Sequence, residues 1–382
     1  MDFITHFREN PDYPNKTYTV GHPPLDDNRR IIVISDIHGN LPYLQGLLEK
    51  LHIRADDQLV FLGDLVEKGP QSLATLRYIM GLRSKCRVYP VLGNCDFWHL
   101  WTDGCDSEWD RQTLAHLVHQ KKTARSGLIL DMCDVLGISL PDETGLTDFK
   151  ATLREAFAPE LDFLRSMPFA IETEKYIFVH GGIPHGETLE EAGPWHCMKI
   201  DRFYSSRPHF SKWVITGHTP VCLYGSSTIS AVPIADKACR VACIDGGCVL
   251  KDDGQLNAFI IRRGKFTSEW YDPFPLARAL DAQKKGTHSA YIRWGDNIVS
   301  PIELGREWCR VRHVRTGYEM DVPTDFLYER NGELCVNDVT DYHPGIEPGD
   351  VLSIVRETSR GCWIKKNGVT GWYNGRIEYL PH

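Results

Sequence analysis

The 382-residue chain has no apolar run of transmembrane length, no paired CxxC motifs, no internal repeat and no low-complexity tract. Each absence removes a class. Without a long apolar run there is no membrane-spanning helix to place, and without a repeat there is no solenoid or propeller. The twelve cysteines are scattered, so they read as reduced core or site residues rather than a disulfide framework. Positive charge is also short: 43 Lys plus Arg stand against 51 Asp plus Glu, a formal charge of -8. Such a chain has no general attraction for nucleic acid or a membrane surface, and binding an anion requires local positive charge such as metal ions. The opening MDFITHFRENPDYPNK carries charges and prolines where an export signal needs an apolar stretch. The expectation is a cytoplasmic protein with no nucleic-acid and no membrane partner.

What is present is an ordinary globular mixture, 42% hydrophobic, 25% charged and 10% aromatic, in a chain long enough for two domains, one of them large. The most informative stretch is residues 31–40, IIVISDIHGN. Four aliphatic residues run into an Asp and a His two positions apart, then a Gly, which reads as a buried strand delivering two metal-ligand side chains at its carboxyl end.

The chain then alternates. Leu44, Leu47, Leu48 and Leu51 have helical spacing, QLVFLGD is a second strand ending at Asp64, Pro70 is placed to open a helix bearing Leu73, Leu76 and Met80, and CRVYPVLGN is a third strand ending at Asn94. Strand, helix, strand, helix, strand implies parallel strands with crossover helices and ligands at the strands' carboxyl ends. Residues 97–168 turn helical, with 114–119 and 149–165 as the better segments, and read as a cap inserted into the sheet domain. Strands resume in KYIFVHGG, WVITGH, CRVACIDGG and NAFIIR, which suggest a second sheet stacked on the first.

Residues 1–29 read as an irregular lead-in and 30–275 as the main domain, closing near YDPFP. Residues 285–382 are different: short β-rich runs with Trp294, Trp308, Trp363 and Trp372, and an Asn367–Gly368 hairpin signal. Their tryptophans are most simply barrel core, with an exposed aromatic groove for a peptide or cell-wall material as the alternative. Within this tail about 337–380 resembles an SH3-like barrel, which implies a peptide or protein partner.

Five clusters follow apolar runs and can meet on one rim: Asp36 and His38, Asp64, Asn94, His180, and His218. Mixed carboxylate, imidazole and carboxamide donors suit manganese, iron or zinc, with manganese the first choice, rather than a thiolate zinc site or an all-oxygen calcium site. Two such ions roughly 3.5 to 4 Å apart would hold a phosphoryl group and activate a bridging water. Gly39, Gly63, Gly93, Gly181 and Gly217 permit the tight turns this requires. Cys243 and Cys248, which flank Asp245, lack a paired His and the spacing of a zinc site.

In this order and spacing SDIHG, GDLVEKG, GNCD, HGG and GHTP resemble the calcineurin-like metallophosphoesterases, in particular the phosphoprotein phosphatase and symmetrical diadenosine tetraphosphatase branch, over about residues 30–265. The resemblance implies an α/β two-sheet sandwich flanked by helices. It also implies Asp36 and His38 on a first metal, Asp64 bridging, and Asn94, His180 and His218 on a second. Because GHTP lacks a second His, the first metal has fewer protein ligands than in relatives ending GHTH.

Three positions depart from the phosphatase pattern. Cys95 stands where a His would protonate the leaving group, Glu67 where that His would have an Asp partner, and Lys68 where an Arg would clamp phosphate. Lys199 or Arg202 could supply a second phosphate-holding cation. A thiol is a poorer general acid than an imidazolium, and Lys offers a point charge where Arg offers a fork. The expected function is dinuclear phosphate-monoester hydrolysis of the phosphoprotein phosphatase kind by a metal-bridging water, favouring good leaving groups. The alternatives are a dinucleoside polyphosphate hydrolase or phosphodiesterase, and a catalytically weak scaffold.

Overall fold

The computed structural model describes residues 18–104 and 107–381; the first seventeen residues of the expected lead-in lie outside them. By its internal contacts the chain divides into two units. The first comprises the described residues within 1–220, 233–250 and 254–272; the second comprises those within 221–232, 251–253 and 273–382.

The first unit is built on two sheets. Its strands are β1 (Val20–Gly21), β2 (Ile31–Ile34), β3 (Gln58–Leu62), β4 (Arg87–Val91), β5 (Ala170–Glu172), β6 (Tyr176–Val179), β7 (Trp213–Thr216), β8 (Ile234–Asp236), β9 (Val241–Cys243), β10 (Leu256–Arg262) and β11 (Lys265–Tyr271). One sheet runs β11-β10-β2-β3-β4, the other β1-β5-β6-β7-β9-β8. The β2-β3-β4 ladder is parallel, as the crossover reading requires, with Ile31 opposite Gln58 and Gln58 opposite Arg87. NAFIIR does not join the second sheet as expected. As β10 it pairs antiparallel with β2 and forms a hairpin with β11 through Arg263 and Gly264, both at positive φ. A strand that is apolar throughout carries no mark of which sheet it will extend.

Alternate residues explain the stacking. Ile31, Val33, Val60 and Leu62 from one sheet share a single core with Ile171, Tyr176, Phe178 and Ile215 from the other. Their neighbours Ile32, Ile34, Leu59 and Phe61 point the opposite way and are just as buried. That second face is covered by helices, with α1 (Leu41–Leu51) packed against β10 and β11 and α2 (Ser72–Leu82) against β4. Strands buried on both faces explain why these runs are continuously apolar. Helix α2 starts after Gln71, so Pro70 precedes the helix rather than opening it.

Residues 97–168 carry five helices among the described residues: α3 (Trp98–Asp103), α4 (Ser107–Lys122), α5 (Leu128–Leu136), α6 (Leu146–Ala156) and α7 (Ala158–Arg165). The segment expected as one helix over 149–165 is broken at Phe157, where Pro159 lies in the first turn of α7. A last helix, α8 (Leu189–Met198), opens with a capping box in which Thr188 and Glu191 satisfy each other's backbone N–H.

The second unit holds a six-stranded antiparallel sheet in the order Ile377–Tyr379, Leu276–Ala279, Val351–Thr358, Gly361–Lys366, Val369–Tyr373 and Ile229–Ser230. The Asn367–Gly368 turn has φ of 52° and 75°, which a tight primed hairpin requires. Trp363 and Trp372 are buried in the core of this unit, whereas Trp294 is exposed beneath Arg330. No helix among the described residues is long and apolar enough to cross a membrane.

Candidate metal centre

Each ligand-type side chain sits just past a strand end, where the backbone turns sharply. Asp36, His38, Asp64 and His218 all have positive φ, between 51° and 66°. Holding a non-glycine residue there costs about 1 kcal/mol or more apiece, and such strain concentrates at functional sites. Cross-links between loops maintain it. The Asp36 amide donates to Gly63 O at 3.1 Å and the His38 amide to Asp64 O at 2.9 Å. Gly93 must be glycine, because a Cβ there would lie 2.1 Å from Asp64 N and 2.4 Å from Asp64 Oδ1.

The structure brings Asp36, His38, Asp64, Asn94, Cys95 and His180 together. Asp64 is central: its Oδ1 accepts the Cys95 amide at 2.8 Å and lies 3.4 Å from His180 Nε2, while its Oδ2 lies 3.7 Å from His38 Nε2. Two sets of donor atoms gather within 4.8 Å of one another, Asp36 with Asp64 and His180, and His38 with Asp64 and Cys95. Asp64 belongs to both.

The donors are oriented from behind. His180 Nδ1 donates to Leu62 O at 2.6 Å, leaving Nε2 turned toward Asn94 Oδ1 at 3.2 Å. Asp36 Oδ2 accepts from the His218 amide at 2.9 Å and from the Ser35 hydroxyl, but its Oδ1 is buried without a hydrogen-bond partner. A buried carboxylate oxygen with no donor is costly unless a cation meets it, so the set fits a divalent ion.

Electrostatics agree. Burial would raise the Asp64 carboxyl, but His180, His38 and Lys68 more than offset it and hold it below the usual carboxylate range. Burial and the Lys68 ammonium push the His38 imidazole down to about 4. His38 is therefore neutral at neutral pH, and its approaches to Asp36 and Asp64 are contacts of a ligand-ready ring rather than ion pairs.

His218 stands apart from this gathering. Its ring meets His180 edge-on at 5.2 Å, yet its Nε2 contacts Asp201 Oδ1 at 3.1 Å. That contact, with help from Lys199 and Arg202, holds Asp201 below its ordinary range. Asp201 escaped the sequence reading because it follows no apolar run. Lys68 Nζ lies 3.4 Å from His38 Nε2 and points into the site.

Glu67 does not partner Cys95. Its buried carboxylate turns to the cap, where Oε1 accepts the Leu128 amide at 2.8 Å at the start of α5, and Oε2 accepts Gln120 Nε2 at 3.1 Å. Its own amide donates to Ser72 Oγ at 2.9 Å, and both Glu67 and Lys68 have positive φ. The cap thus grips the loop between Asp64 and Lys68. Asp96, the last residue of GNCD, braces the same loops, accepting from Leu65 N and Gly93 N at 2.9 Å each. Its place two residues after Asn94, closing the GNCD turn, is the signal the sequence offers for it.

The calcineurin-like phosphoesterase family matches residues 29–231. The symmetrical bis(5'-nucleosyl)-tetraphosphatase of Vibrio cholerae serotype O1 is 32% identical over 191 residues, covering 46% of this chain and 57% of that relative's length. Among solved structures, a metallophosphoesterase from Sphaerobacter thermophilus is 15% identical, covering 64% of this chain and 88% of that one, with a TM-score of 0.36. The cold-active protein-tyrosine phosphatase of a psychrophilic Shewanella species is 14% identical, covering 67% and 91%, with a TM-score of 0.38.

Proposed function

The chain belongs to the calcineurin-like phosphoesterase family, and from that premise we propose that it is a metal-dependent hydrolase of phosphoanhydrides and phosphate esters with good leaving groups, dinucleoside tetraphosphates foremost. The observation that carries the substrate preference is the pair Cys95 and Glu67. A thiol stands where a leaving group would take its proton, and the carboxylate that could support an acid is committed to Leu128 and Gln120. A weak acid matters least when the leaving group is already stable as an anion.

Two divalent ions held there would supply Lewis acidity toward phosphoryl oxygens and a lowered water pKa. Asp36 and His38 would serve the first, Asn94, His180 and His218 the second, and Asp64 both. His218 would exchange Asp201 for that role. Burial lowers the Lys68 ammonium's affinity for its proton, but Cys95, Asp64 and Asp36 more than compensate, so Lys68 remains charged and suited to hold a substrate phosphate. To do so it must leave His38 Nε2, since one lone pair cannot serve both an ammonium and an ion.

The tetraphosphatase relative supports the anhydride reading over 191 shared residues. A phosphoprotein monoesterase is the second reading, supported by the strand-rich second unit, within which we take about residues 337–380 as SH3-like and suited to recruiting a protein. An inactive scaffold fits poorly with four strained ligand-type residues. A cytoplasmic setting is supported by eleven free cysteines among the described residues.

The test is hydrolysis by the purified Mn²⁺-loaded protein of diadenosine tetraphosphate, phosphotyrosine peptide and phosphoserine peptide side by side. The reading expects the dinucleotide, split to nucleoside diphosphates, and the aryl ester to turn over faster than phosphoserine. Phosphoserine turned over fastest would overturn it.

A further inference from the structure

We infer that Cys95 is a metal ligand, its thiolate completing the first ion's coordination beside His38 and Asp64, rather than the proton donor its position in GNCD suggests. The inference rests on the proposal above that the site holds two ions.

The first site is short of donors. GHTP places Pro220 where a further imidazole could stand, leaving Asp36, His38 and the shared Asp64. Cys95 Sγ, a ring nitrogen of His38 and a carboxylate oxygen of Asp64 all lie within 4.8 Å of one another. Bonds of about 2.0 to 2.3 Å from an ion to such atoms spread them up to about 4.6 Å apart, so small side-chain shifts bring all three onto one centre.

Cys95 is also held in place for this. Its amide donates to Asp64 Oδ1 at 2.8 Å, tying it to the bridging carboxylate, and Asn94 Nδ2 donates to its Sγ at 3.3 Å.

A proton donor would need different surroundings. The side chain that could orient or recharge it, Glu67, makes its hydrogen bonds to Leu128 and Gln120. Cys95 Sγ instead gathers with donor atoms of His38 and Asp64. A divalent ion coordinated there would deprotonate the thiol outright. The Sγ–H bond breaks, its electron pair forms the sulfur–metal bond, and the proton leaves to solvent.

The consequence concerns which ion the protein prefers. A thiolate ligand selects softer ions such as zinc, iron, cobalt or cadmium, where an all-nitrogen-and-oxygen set accepts manganese.

The experiment is titration of the metal-depleted full chain with Co²⁺, following bound metal and near-ultraviolet absorbance, for wild type and Cys95→Ser. Two Co²⁺ per chain with a thiolate-to-cobalt charge-transfer band, absent in Cys95→Ser, is the expected result. The variant should also lose at least about tenfold in Cd²⁺ affinity while Mn²⁺ affinity changes little, the order of loss seen when a metal site is perturbed. Two Co²⁺ bound with no band, or a band that persists in Cys95→Ser, overturns Cys95 as ligand and leaves the two-ion centre standing. No Co²⁺ bound by wild type overturns the two-ion centre itself and the inference with it.

Discussion

Glu67 makes the joint between cap and metal loop sensitive to pH in a direction the structure fixes. Its carboxyl is buried, and the groups facing it are the Leu128 amide, Gln120, Trp98 and, farther off, Asp131. Burial dominates the hydrogen bonds that favour the ionised form and pushes the carboxyl from 4.5 up to about 7. An acid whose folded pKa is raised binds its proton more tightly in the folded state. Its contribution to stability is therefore full below 4.5, falls as pH climbs, and is gone above 7. At about 1.4 kcal/mol for each pH unit between those limits, the loss is about 3 kcal/mol. Glu67→Gln resembles the protonated side chain in shape and cannot titrate. Urea unfolding of both proteins at pH 5 and pH 8, at equal ionic strength, isolates the effect, because every other titrating group is common to the two. Wild type should lose up to about 3 kcal/mol relative to the variant between those pH values. Parallel pH dependences would refute the burial argument.

Two glycines make a matched pair in thermal melting. Gly93→Ala drives a methyl into the Asp64 backbone and should cost about 3 kcal/mol, whereas Gly81→Ala, in α2 with nothing within 4 Å of the new Cβ, should gain about 0.5–1 kcal/mol. Equal melting temperatures would contradict both. Lys68→Met should lower kcat/KM about 10- to 100-fold, the worth of one charge-assisted hydrogen bond to phosphate, and Lys68→Arg should recover most of it. An unchanged kcat/KM in steady-state kinetics would remove Lys68 from the phosphate site.

Much of the site's neighbourhood was legible because the physical demands are local. A buried parallel strand must be apolar on both faces, so Ile31–Ile34 and Gln58–Leu62 announce themselves, and a polar residue ending such a run falls on the sheet's carboxyl rim. Gly93 and Gly217 follow equally directly, since a Cβ at Gly217 would lie 2.3 Å from Asp36 Oδ2.

What could not be read depends on contacts between distant segments. Glu67 carries the same side chain whether it faces Cys95 or, as found, Leu128 sixty-one residues on. Nothing in LNAFIIR says that it will pair with β2 rather than extend the other sheet. Nor does the sequence mark Ile229–Ser230, set within the phosphoesterase match, as an edge strand beside Val369–Tyr373 of the second unit. His218 and Asp201 lie seventeen residues apart, and only the fold makes them partners.

In the proposed mechanism Asp64 bridges two ions that together hydrolyse a phosphate bond. The most direct test is Mn²⁺ titration of metal-depleted protein with diadenosine tetraphosphate as substrate, counting ions bound per chain while following nucleoside diphosphate formation, for wild type and Asp64→Asn. The account predicts that wild-type activity rises as two ions bind, and that Asp64→Asn stays at the level of the protein-free blank. Full turnover in excess chelator, or wild-type turnover by Asp64→Asn, would contradict it.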